Sequence, residues 1–95
     1  MEALNGKYFH SMKAGEIEWQ GVVIEPGPEL TEVQLFSWIC GGPTDRLMIE
    51  TSELLNPERF RLYPGRQAMI EAYARTQSDP AEFLEAQKNM DSLYE

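Results

Sequence analysis

The stretch Glu16-Ile17-Glu18-Trp19-Gln20-Gly21-Val22-Val23-Ile24-Glu25 decides the fold. It is rich in β-branched and aromatic residues, as a pleated and half-buried strand requires. Across Pro26-Gly27-Pro28 it meets a second run, Thr31-Glu32-Val33-Gln34-Leu35-Phe36-Ser37-Trp38-Ile39-Cys40. Two such runs joined at a Pro/Gly turn read as a hairpin in a small sheet. In the first run Ile17, Trp19 and Val23 share one face, and Val22 and Ile24 the other. In the second, Val33, Leu35 and Ile39 oppose Phe36, Trp38 and Cys40. Strands that are apolar on both faces are covered twice or belong to a sheet that curls. Gly21 reads either as the bend of a curled sheet or as a glycine tolerated in a half-exposed strand.

Outward from this hairpin the same grammar continues. Residues 7–12 read as a first strand, turned at Lys13-Ala14-Gly15. Gly41-Gly42-Pro43-Thr44-Asp45 reads as a turn and residues 46–51 as a fourth strand. Ser52-Glu53-Leu54-Leu55 reads as one helical turn capped by Ser52 or Thr51 and halted by Asn56-Pro57. Residues 58–63 alternate charged and apolar, as a half-exposed fifth strand does. The period then changes. Residues 65–75 read as a helix with Met69, Ile70 and Tyr73 on one face. Asp79-Pro80-Ala81-Glu82 opens a second helix, residues 80–94, striped by Phe83, Ala86, Met90 and Leu93. The expected fold is α+β: a five-stranded antiparallel barrel or curled sheet over residues 7–63, followed by two C-terminal helices, in one domain spanning 1–95. Trp19 and Trp38 are expected inside it. The last helix is expected to pack on its own domain, with its acidic outer face matched to the arginines of residues 58–63.

Five short strands with a one-turn helix before the last resemble the SH3-like small barrels. The phrase Trp19-Gln20-Gly21-Val22-Val23 is similar to one in the plasmid-borne type II dihydrofolate reductases, which are SH3-like barrels assembled as tetramers around one pore. Those enzymes also carry a Val-Gln-aliphatic-Tyr segment in the pore. Val33-Gln34-Leu35-Phe36 is similar in letters but comes too early in strand order, and Phe60-Arg61-Leu62-Tyr63 stands in the right place without the Val-Gln pair. The resemblance therefore implies a fold and carries over no catalytic residue.

Composition narrows the function. The 95 residues include 16 acidic and 8 basic ones, for a net charge of −8. That excludes sequence-independent binding to nucleic-acid backbones, which needs clustered Lys and Arg. It favours a protein partner with a basic surface. A domain this small can also complete its burial as a homo-oligomer. A single cysteine forms no internal disulfide, and Cys40 with His10 is too small a set of soft ligands for zinc. No metal or other cofactor is expected. The longest purely apolar run is three residues, and no basic-then-apolar leader opens the chain, so a cytoplasmic protein that spans no membrane is expected.

No catalytic constellation stands out. His10 and Cys40 are the sole base and thiol pair, and both read as structural strand residues. The pairs Glu16/Glu18 and Glu29/Glu32 read as solvated strand edges, and Gly41-Gly42-Pro43 lacks the spacing of a phosphate cradle. The binding candidates are Arg59, Arg61 and Arg66 with Tyr63, and the aromatics Tyr8, Phe36 and Trp38. The arginines read alternatively as partners of the acidic last helix, and the aromatics as rings covered by the helices. The expected function is a non-enzymatic protein-interaction module or small adaptor, holding a partner through an aromatic patch with an acidic rim. Two alternatives stand beside it: an acidic nucleic-acid mimic from a mobile element, and an oligomeric pore-type reductase.

Overall fold

The computed structural model describes residues 4–36 and 42–93. Along the chain run β1 (Tyr8–Lys13), β2 (Glu16–Glu25), β3 (Leu30–Phe36), β4 (Pro43–Glu50), α1 (Thr51–Leu54), β5 (Phe60–Tyr63), α2 (Arg66–Ala74) and α3 (Pro80–Leu93). The strands form one antiparallel sheet in the order β4-β3-β2-β1-β5. β4 and β5 are its two edges and do not pair with each other, so the sheet is not closed. The class is α+β. No helix among the described residues is long and apolar enough to cross a membrane.

The concave face carries the core. Leu62, Phe9, Gly21 and Leu35 form one cross-strand row over four strands. Phe9 is fully buried, packs with Leu4, Val23, Val33, Leu35 and Leu54, and meets Phe60 edge-on at 5.6 Å. Gly21 makes this possible. A Cβ there would stand 2.7 Å from Cζ of Phe9 and 2.5 Å from the Gln34 carbonyl oxygen. The register irregularities of β2 lie elsewhere. One sits at Glu18, the extra residue between the Ser11–Trp19 and Met12–Ile17 pairs. The other sits at Ile24, between the Val23–Val33 and Glu25–Glu32 pairs. Gly21 is thus the site of close approach, while the bulges bend the strand.

Two boundaries differ from the sequence reading for physical reasons. β4 begins at Pro43, inside the expected turn; at the first position of an edge strand the missing N–H of proline costs no ladder bond. α1 spans Thr51–Leu54 with Glu50 at its N-cap and no side-chain cap. The Thr51 hydroxyl donates instead to the Gly27 carbonyl at 2.6 Å. Thr31 then donates to Thr51 Oγ1 at 2.8 Å and accepts from the Gly27 N–H at 3.3 Å. This buried triangle ties the β2–β3 turn to the start of α1. The sequence reading also extended the third strand to residue 40; residues 37–41 lie outside the described residues.

A helix covers the convex face at β1 and β5. α2 packs on β1 and β5, burying Met69, Ile70 and Ala74. α3 begins as expected, with the Asp79 carboxylate accepting the Glu82 N–H at 3.1 Å. Its principal neighbour is α2, through Phe83 against Tyr73 at 5.1 Å. Ala86 of the expected stripe is exposed.

Two stability outcomes follow from this geometry. Gly21→Ala should cost about 2–3 kcal/mol, because one of the two clashes is with backbone that cannot rotate away; denaturant melts check it, and an unchanged midpoint contradicts the packing. The two-residue turn joining β1 and β2 holds Ala14 at φ 53° and Gly15 at φ 80°. Ala14 is strained in this left-handed region, where asparagine is at ease. Ala14→Asn should therefore raise stability by about 1 kcal/mol, read as an increase in melting temperature.

Candidate functional site

Among the described residues the concave face is not filled to its end. Ser11 stands opposite both Trp19 and Phe60. Its hydroxyl accepts the Trp19 N–H at 2.9 Å, anchoring β2 next to the Glu18 bulge. Bulges re-aim side chains, and Glu18 and Trp19 both border a groove here. The small Ser11 does not cover the indole. Trp19 is 53 % exposed, which corrects its expected place in the core.

The groove has a volume of about 380 Å³, the size of a small ligand pocket. Phe9, Phe60, Leu35, Leu47 and Ile49 form its apolar walls, with Met12 and Trp19 at one end. Glu18, Asp45 and Arg59 are its charged lining. It adjoins a polar depression of about 500 Å³ that shares Met12, Glu18 and Arg59 and adds Lys13 and Glu58. Glu18 lies 3.9 Å from Lys13, and Arg59 lies 3.8 Å from Glu53. Exposed pairs of this kind hold little energy, so these charges can re-pair with an incoming ligand.

A second polar locus lies between the sheet and α2. His10 is fully buried, its Nδ1 2.8 Å from the Tyr63 hydroxyl and its ring 5.0 Å from the Tyr63 ring and 6.3 Å from that of Tyr73. Burial, helped by the nearby positive Arg61, lowers the His10 pKa to about 4. Burial also raises the Tyr63 pKa, against the opposing pull of Arg61 and Arg75. Both groups are neutral at pH 7 and covered by helix, which suits a structural pair rather than an acid–base site. Among the described residues no group of three or more His, Cys, Asp or Glu is placed to hold a metal ion.

Of the binding candidates, Tyr8, Phe36, Arg61 and Tyr63 share the convex face, where Tyr8 pairs with Tyr63 across β1 and β5, while Arg59 stands apart from them. Arg59 borders the groove. Tyr8 and Phe36 stack at 6.1 Å on the convex face, beside Val22 and Gln34. Tyr63 is bonded to His10, Arg61 is exposed on β5, and Arg66 is the first residue of α2. Trp38, like Cys40, lies outside the described residues. Most groove residues had been assigned to the core or passed over. Their signal was the surplus of aromatic residues for so small a core, which does not say which ring remains uncovered. No family model, curated protein or solved structure matches the chain.

The buried histidine sets a pH dependence. The native state rejects the proton that the unfolded chain accepts, so this contribution is complete above pH 6.5 and lost as pH falls from 6.5 towards about 4. The loss should reach about 2 kcal/mol by pH 5. Thermal melts from pH 7 to 5 should fall more steeply for the natural chain than for His10→Gln, since the carboxylates are common to both. Parallel slopes would show His10 to be uninvolved.

Proposed function

We propose that this chain is a non-enzymatic protein-interaction module whose concave groove receives an apolar side chain of a partner, flanked by basic residues. The observation that carries the reading is the half-exposed Trp19 beside an open apolar groove with Glu18 and Asp45 on its lining. An exposed indole that forms one end of such a groove is the kind of residue that dominates binding energy at protein interfaces. The acids select the sign of what flanks the anchor, and the adjoining polar depression gives an extended segment room to continue. We further infer that the sheet is an SH3-like small barrel left partly open. The supporting features are the antiparallel order β5-β1-β2-β3-β4 and a one-turn helix between the fourth and fifth strands.

The test is selection of peptides from a random displayed library on the full chain, followed by affinity measurement through tryptophan emission and titration calorimetry. Enriched peptides should pair an aromatic or large aliphatic residue with Lys or Arg. Trp19→Ala should weaken them at least about tenfold, with a small change in melting temperature because the indole is half outside. Peptides that bind Trp19→Ala equally well, or no enrichment over a Leu47→Lys variant, would overturn the reading.

A further inference from the structure

β4 is the edge of the sheet, paired with β3 on one side and with no other described strand. Natural edges are blunted by proline, bulges or lysine. Here β4 has no lysine, and its proline and its register slip sit at one end. Pro43 opens the strand, and the register with β3 slips between the Arg46–Gln34 and Pro43–Phe36 pairs. From residue 46 to 50 the strand follows β3 without irregularity, Arg46 opposite Gln34 and Glu50 opposite Leu30. This regular part is exposed except at the half-buried Ile49, and it carries Leu47 at 37 % and Met48 at 53 % exposure. Its sequence, Arg46-Leu47-Met48-Ile49-Glu50, is complementary to itself when reversed. Arginine meets glutamate, leucine meets isoleucine, and methionine meets methionine.

We propose that β4 is a self-pairing edge that joins two copies of this chain antiparallel through residues 46–50, about a two-fold axis at Met48. Arg46 of each copy then faces Glu50 of the other, so the charge pair forms twice, as a two-fold contact requires. Leu47 faces Ile49 on the concave side, and the two Met48 side chains meet on the convex side. Leu30, 49 % exposed and opposite Glu50, extends that convex apolar strip in each copy. Neighbouring registers lose the match. Centring on Leu47 sets Arg46 against Met48, and centring between Leu47 and Met48 sets Asp45 against Glu50. Arg46 donates through Nε to Gln34 at 3.2 Å, and its guanidinium has further N–H groups to direct at a carboxylate. Paired strands keep their faces, so both grooves open on the same side of one continuous sheet. The seam shares Leu47 and Ile49 with the groove wall, while the Arg46–Glu50 pair used to test it lies on the other face and outside the groove lining.

Sedimentation velocity of the full chain over a micromolar-to-millimolar series tests it. The expected species at high concentration has twice the chain mass of 10.9 kDa. Arg46→Glu sets two glutamates against each other and should weaken association about tenfold or more, as should Glu50→Arg from the other side. The double variant Arg46→Glu/Glu50→Arg restores the pair reversed and should recover the natural affinity, with melting curves confirming that each variant is folded. A monomer at every concentration overturns the proposal. So does a dimer indifferent to both single variants, or a double variant no tighter than either one.

Discussion

A phenyl ring occupies the space where the side chain of another strand would stand. Phe9 of β1 lies over Gly21 of β2, and the core residues of four strands and of α1 gather around that ring. The arrangement tolerates no atom at the Gly21 Cβ, because the Gln34 carbonyl closes the space from the third strand. Close packing of this kind transmits its shape outward. It draws β1, β2 and β3 together at the centre of the sheet, and the bulges at Glu18 and Ile24 take up the curvature on either side.

The groove is what remains of the concave face beyond that ring. Towards Leu4, Val23, Val33 and Leu54 the apolar side chains close on one another. Towards Trp19, Leu47 and Phe60 they line a wall that no other described residue fills. The C-terminal helices do not help there, because α2 lies on the convex side over β1 and β5, with Tyr73 beside His10, and α3 packs on α2. Among the described residues the two faces of one small sheet are therefore finished differently: a helix covers the β1 and β5 side of one, and the other is left open at an end. That division separates the part of the molecule that supports it from the part that offers a surface.

Much of the fold was legible in the residues. The ends of β2 were read as they stand, and both C-terminal helices within about one residue, because Pro/Gly turns and the Asp79-Pro80 start are local signals with local causes. The strand order β1 to β4 follows from hairpins of short span. What was not legible depends on contacts distant in sequence. The exposure of Trp19 turns on a bulge held beside the Ser11 hydroxyl, and nothing in Glu18-Trp19 announces it. Thr51 reads locally as a helix cap, yet its proton goes to Gly27 across the fold. Pro43 reads as a turn residue until the strand is seen to be an edge. Of the candidate site only Arg59 was anticipated, since strand periodicity tells which residues share a face but not where a face runs out of cover.

The antiparallel order has a meaning for a chain made from one end. β1 to β4 each pair with the strand just before or after them, and these ladders are available as soon as each turn has been synthesised. β5 alone must travel back to β1, joining residues as far apart as His10 and Tyr63, 53 positions away in sequence. Until it arrives, the nascent meander carries two bare edges and an uncovered histidine. α2 begins just after β5, so the strand that seals the open edge of β1 brings with it the helix that covers the face. Docking of β5 is thus the step at which a row of hairpins gains both its fifth strand and its helix cover, and it waits until residues 60–63 are free to reach β1.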